Sequence, residues 1–143
     1  MSFDFLLLDN DLRLDSEGQI RTVTGTQKLR QDILKVVLTT LGSNKFHPWY
    51  GCAVSDEAIG KNIAYNMLIF NVQTSIRQSL EKLQRLQRQQ QTFQTTSLSE
   101  IIHTIGPINV YRDPDNVRQI KIDVTVYTRQ LTELNESFTL SQY

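Results

Sequence analysis

From Lys61 to Gln91 the chain contains neither glycine nor proline, and this stretch constrains the fold more than any other. A helix of that length would span about 45 Å, longer than a small domain is wide. Ile69, Ile76 and Leu83 recur at seven-residue spacing, as do Val72, Ser79 and Leu86 three positions on. This is a heptad seam. Ile63, Met67, Phe70 and Leu80 widen the apolar face in the first half. The second half is different: Gln84, Gln87, Gln89, Gln90, Gln91 and Gln94 crowd its end, with Arg77, Lys82, Arg85 and Arg88 against Glu81. The start of the helix reads as core and its end as a projecting polar stretch. The seam lasts longer than the core of a small domain needs. It therefore suits either packing within the chain or a partner's helix, with Ile69, Val72, Ile76, Leu83 and Leu86 as the contact residues.

The rest of the chain alternates or turns. Leu12 and Leu14, then Ile20 and Val23, flank Ser16-Glu17-Gly18 and predict a β-hairpin over 10–24. A first helix is expected over about 26–41, capped by Thr26 and stopped by Gly42, with Leu29, Ile33, Val36 and Val37 on one face. The loop 43–52 carries Phe46, Trp49 and Tyr50, and three aromatics so close together predict a packed-down loop. Ser55 is expected to cap a short turn over 56–59, ended by Gly60. Ser97 is expected to cap another, reaching Ile102. Two strands follow, 104–112 and 117–128, joined by Asp113-Pro114-Asp115-Asn116. In the second, Ile120, Ile122, Val124 and Val126 lie on one face. A short terminal strand, Glu136 to Leu140, either completes this sheet or pairs with another chain's sheet edge. The class is α+β, in a single domain over 1–143, with an N-terminal hairpin, two main helices (about 26–41 and 61–91), a C-terminal antiparallel hairpin and a short terminal strand.

Composition excludes several functions. Fifteen Lys and Arg balance fifteen Asp and Glu, so no bulk field draws the chain to nucleic acid or an anionic membrane. One cysteine, Cys52, excludes an internal disulfide and a cysteine zinc cluster. The first residues lack the basic start and long apolar run of a signal peptide, and no run is long enough to span a membrane. Folding in a cytoplasm is expected. Cys52 with His47 or His103 lacks any nucleophile motif and reads better as a small buried residue. A calcium loop starting at Asp9 fails, because Arg13 and Leu14 occupy its fifth and sixth positions. Asp56, Glu57, Glu81 and Glu100 offer carboxylates for a glycosidase, but nothing pairs them. The basic end of the long helix has no stacking aromatics and reads as a solvated face. No phosphate-binding glycine loop occurs, and no cofactor, metal or small-molecule substrate is expected.

One ordered combination is more specific. Asp11-Leu-Arg-Leu-Asp15, Gly18-Gln-Ile20 and Val23-Thr-Gly25 are followed by Leu29-Arg-Gln-Asp-Ile33, Leu38-Thr-Thr-Leu-Gly-Ser43 and Pro48-Trp-Tyr-Gly51. This resembles the baseplate wedge proteins of contractile phage tails, the lysozyme-like "W" or sheath-initiator family, with relatives in contractile secretion and injection machines. The second long helix and a C-terminal hairpin turning at Asp-Pro fit the same pattern. Many relatives carry Glu-Pro-Arg where the long helix meets the strands. The stretch from Thr92 to Ile105 has none, and neither Glu100 nor Arg112 is assigned that role. The resemblance implies a virion protein of the tail baseplate, assembled in a bacterial cytoplasm and structural rather than enzymatic. Its partners would be larger wedge subunits, the tail sheath protein and the central hub or tube, with no membrane or nucleic acid. The heptad seam would join a wedge bundle. Glu136, Ser137, Phe138, Thr139 and Leu140 would exchange strands with sheath. The other functions weighed are a tail-associated wall hydrolase and a small oligomeric adaptor for nucleic acid.

Overall fold

The computed structural model describes residues 2–9, 11–54 and 63–141. Two helices lie over one face of a three-stranded antiparallel sheet, and a small β-ribbon leans on the first helix. The turns expected over 56–60, and the start of the long helix at Lys61, lie outside the described residues.

The sheet consists of β5 (Ile102–Arg112), β6 (Gln119–Thr128) and β7 (Glu133–Ser141), in that order. Strand β6 is buried at every second residue, so Ile120, Ile122, Val124 and Val126 form the inner face. Ile108 and Val110 from β5, and Leu134 and Phe138 from β7, extend it. The turn from β5 to β6 is built as expected. The Asp113 carboxylate accepts from Asp115 N–H, and the Asn116 side chain accepts from Arg118 N–H. Four boundaries differ, two of them slightly: β6 starts at Gln119 rather than 117, and β7 ends at Ser141 rather than 140. Strand β5 starts at Ile102 through two register shifts, and β7 starts at Glu133 after Leu131 turns the chain at φ 64°. Gly106 lies within the second shift, between Ile105 and Ile108, where a Cβ would come within 2.9 Å of the Thr125 carbonyl, so only glycine lets β5 approach so closely. The terminal strand completes the chain's own sheet, pairing with β6 from Glu133 to Ser141.

Helix α1 (Gly25–Leu38) buries Leu29, Ile33, Val36 and Val37, as its spacing predicts. It starts after Thr24, not at a Thr26 cap, and it stops three residues early. Thr39 is already extended, because Thr40 bridges to Cys52: Cys52 N–H donates to Thr39 O at 2.8 Å and Leu41 N–H to Cys52 O at 3.1 Å. Gly51 allows this bridge at φ 113°, since a Cβ there would lie 2.6 Å from the Thr39 carbonyl.

Helix α2 (Tyr65–Gln90) lies across the inner face. Leu68, Val72, Ile76, Leu80 and Leu83 join the α1 and sheet side chains in one core cluster. Ser79 is small enough to keep the backbone of the aromatic loop close, and its Oγ donates to Gly51 O at 3.1 Å and to Ser75 O at 2.8 Å.

The hairpin over 10–24 is present but larger than expected. Leu14 bridges Ile20, and the Asp15 carboxylate accepts from the N–H groups of Glu17 and Gln19. The preceding residues add strands of their own. β1 (Asp4–Phe5) pairs with β4 (Thr22–Val23), and β2 (Leu7–Leu8) pairs with β3 (Asp11–Leu12). The aromatic loop is packed down only at its end, where Tyr50 lies half-buried against the core. Phe46 is 91% exposed and Trp49 45%. The rest of the loop is held by Asn44 Oδ1, which accepts from the N–H groups of Phe46 and His47, and by edge-on contacts of Trp49 with His47 and Tyr50.

Candidate functional site: one closed and one open strand edge

An antiparallel strand points alternate N–H and C=O groups to opposite sides. Thr128 N–H donates to Thr132 O just beyond the β6–β7 ladder. In that register, the even-numbered residues of β7 bond to β6 and the odd-numbered ones face away. On the other side, Asp113 N–H donates to Gln119 O, so the even-numbered residues at the C-terminal end of β5 face away from β6.

The outward edge of β5 is occupied by helix α2. Gln73 Nε2 donates to Ile108 O at 2.9 Å, Arg77 reaches Gly106 O at 3.4 Å, and Gln84 Nε2 donates to the carbonyls of Ile102 and His103. Gln87 does most. Its Nε2 donates to Glu100 O at 3.0 Å and its Oε1 accepts Ile102 N–H at 2.9 Å. Farther along, Arg112 N–H donates to Tyr65 Oη, and the Arg112 guanidinium lies 4.7 Å over the Tyr65 ring. The glutamines of the supposedly projecting helix end therefore substitute for a strand. They close the edge that strand pairing would otherwise use.

The outward edge of β7 is different. Among the described residues β7 hydrogen-bonds as a strand only to β6. Asn135, Ser137 and Thr139 are exposed, with backbone groups facing away from β6. Leu134 and Phe138 anchor the strand from the core side, and Leu140 packs against the same core. Glu136 also points to that side, where it meets Arg30 of α1 at 3.4 Å. Burial pushes its carboxyl up, and the Arg30 charge returns only part of that cost. Of the residues expected to exchange strands, Glu136 to Leu140, all lie on this edge strand.

The structure places the expected helix contacts otherwise. Val72, Ile76 and Leu83 belong to the chain's own core, and Ile69 and Leu86 are half-buried beside it. Besides Tyr65, which Arg112 covers in part, the apolar side chains that α2 leaves exposed are Met67 and Phe70. More apolar surface lies on the ribbon, where Leu8, Leu12, Leu14 and Ile20 are all exposed. This much exposed apolar area on a small chain is typical of a surface that meets another protein.

The ionisable groups serve mainly to tie elements together. Lys28 pairs with the half-buried Asp32 at 2.6 Å, and burial still leaves the Asp32 carboxyl raised. Cys52 is buried and its thiol is pushed up by that burial, the opposite of a reactive thiolate. Among the described residues, no three His, Cys, Asp or Glu side chains cluster as metal ligands. No described helix is long and apolar enough to cross a membrane. Asp4 and Glu100 moor the N-terminal arm. Asp4 pairs with Lys35 and accepts from Gln31, which also bonds Phe5 O and Leu7 N–H. Glu100 closes a capping box with Ser97 and accepts from Ser2 Oγ at 2.7 Å.

Burial pushes both carboxyls up, but the hydrogen bonds outweigh it and both end below their ordinary values. Their contribution is thus fully present above about pH 4 and is lost as pH falls through the lowered values. Amides of residues 2–8 should lose hydrogen-exchange protection on acidification below that pH, before those of β6. Simultaneous loss of protection would show that the arm has no separate mooring.

No protein-family model matches the sequence, and a search of curated proteins finds no match. Among solved structures the chain is similar to one described as a "putative tail lysozyme" from Geobacter sulfurreducens. The two are 13% identical and superpose with a TM-score of 0.61, over 82% of this chain and 90% of the other. The likeness shows a shared fold.

Proposed function

We propose that the chain is a structural component of a contractile tail baseplate, which starts the first sheath ring by accepting strands on β7. The observation that carries this reading is the contrast between the edges. One is sealed by side chains from α2, while the other carries no further strand among the described residues. A protein with no use for strand pairing gains nothing by leaving such an edge bare. The fold shared with a protein described as a tail lysozyme, and the resemblance of residues 11–51 to baseplate wedge proteins, support a place in a tail. Larger wedge subunits would hold the exposed apolar ribbon and Met67 and Phe70, and the sheath protein would meet β7. The hub or tube would lie alongside, the reading involves no catalysis, and assembly takes place in a bacterial cytoplasm.

The test is localisation. A tagged chain should co-purify with a large particle, and electron microscopy should find the tag at the sheath-proximal side of a baseplate. A chain that never leaves the free monomer pool would overturn the reading. The description of the structural neighbour favours one alternative, a wall hydrolase. It predicts that the isolated chain cleaves peptidoglycan and that changing one or two acids abolishes the activity.

A further inference from the structure

A groove of about 390 Å³ runs between α1 and the ribbon, with Leu6, Leu8 and Leu34 among its apolar walls and Arg21 and Arg30 as its cations. Arg30 belongs to both this groove and the open edge, because it also contacts Glu136 of β7. That contact is one-sided. The Arg30 side chain is 52% exposed and the Glu136 side chain 16%, so most of the guanidinium's five donors remain available. Arg21 forms no ion pair with an acid among the described residues. With Glu136 counted, the groove and its rim carry one net positive charge. The other charged groups of α1 nearby are neutralised, Lys28 by Asp32 of the same helix and Lys35 by Asp4 of β1.

Taking β7 as a strand-accepting edge, we propose that this groove selects what is added. A strand paired with the outward side of β7 would place every second side chain on the face shared by Leu134, Glu136 and Phe138, beneath α1. Those side chains enter beside Arg30 and the leucine walls. The occupant that fits is an extended segment of a partner protein with apolar residues alternating along it and a carboxylate among them. The carboxylate meets Arg30 and Arg21, while a lysine at that point meets two guanidinium groups. Glu136 also acts as a guard. An inward charge on an edge strand deters indiscriminate pairing of apolar strands, and it is stabilised only when Arg30 stays near.

The test uses the full-length chain and three synthetic peptides. Each is an eight-residue alternation of Val and Thr with one central inward position occupied by Glu, Gln or Lys. Backbone amide shifts of β7 are followed by NMR as peptide is added. The Glu peptide should bind more tightly than the Lys peptide by about fivefold, the size expected of a partly exposed ion pair. Arg21→Glu should reverse that order. Arg21 is exposed on the ribbon and its side chain bears no part of the core, so Arg21→Gln serves as a folded control that should remove the preference. Equal shifts of β7 with all three peptides would overturn the selection while leaving strand acceptance standing. No shift of β7 with any peptide would overturn both. Self-association through β7 without peptide would make a second copy the occupant and overturn the assignment to an acidic partner segment.

Discussion

Proline at Ser137 or Thr139 should leave a folded protein that still joins its particle but no longer starts a sheath. Both residues are exposed on β7, and their N–H groups face away from β6. Proline at either position removes a backbone donor that the isolated chain does not use, which is why edge strands accept it; at Ser137 it also removes the exposed hydrogen bond from Ser137 Oγ to Asp123 at 2.8 Å, so Thr139→Pro is the cleaner variant. The same substitution at Glu136 should behave differently. Glu136 pairs with Val124 on β6, so Glu136→Pro deletes a ladder bond and strands a buried carbonyl, at about 1–3 kcal/mol. The two classes should therefore alternate along one strand: lost assembly with normal stability at odd positions, and lost stability at the even one. Urea midpoints and negative-stain counts of sheathed particles measure the two effects separately. Sheaths of normal number on the Ser137→Pro protein would remove β7 from the assembly pathway. Deleting residues 135–143 would be a poorer test, because it removes Phe138 from the core along with the edge.

The parts of this fold that were legible in the sequence are those in which one residue type has one use. Ile120, Ile122, Val124 and Val126 alternate with polar residues, and only a half-buried strand satisfies that pattern. Asp-Pro-Asp-Asn has little use outside a turn. The heptad seam was legible as an apolar stripe but not as to what it faces. Val72, Ile76 and Leu83 pack inward because the sheet's inner face and α1 together supply enough apolar surface to cover them. The ribbon was half legible, since two-residue strands are too short to show a period. The aromatic loop was misleading. Aromatic residues pack wherever apolar surface is offered: Tyr50 finds the core, Trp49 meets its neighbours edge to edge, and Phe46 stays outside. The glutamines were the largest gap. A long polar side chain on a helix is compatible with water or with a strand edge, and composition does not distinguish the two. The available signal was position: Gln73, Arg77, Gln84 and Gln87 lie at helical spacing along one border of the apolar stripe.

That border makes Gln87 and Gln89 a sharp pair. Both sit near the end of α2 in a run of glutamines, yet Gln87 is 4% exposed and Gln89 faces solvent. Gln87→Leu should cost about 2–6 kcal/mol, because Glu100 O and Ile102 N–H each lose their partner in a buried place at about 1–3 kcal/mol apiece. That is a large share of the roughly 5–15 kcal/mol that holds a domain together. Gln89→Leu should stay within about 0.5 kcal/mol. Urea unfolding of the two variants decides the matter, and equally small effects would mean that the end of α2 projects as a solvated helix after all. The consequence extends past stability. Gln73→Ala combined with Gln84→Ala leaves the core intact but frees the carbonyls of Ile108, Ile102 and His103, so it should open much of the β5 edge, with Arg77 and Gln87 left in place. A protein with both edges open has a route to grow from each side of its sheet. The double variant should therefore self-associate at concentrations where the parent chain remains monomeric, as read by sedimentation velocity. An unchanged sedimentation coefficient would mean that β5 is protected by something other than its glutamines.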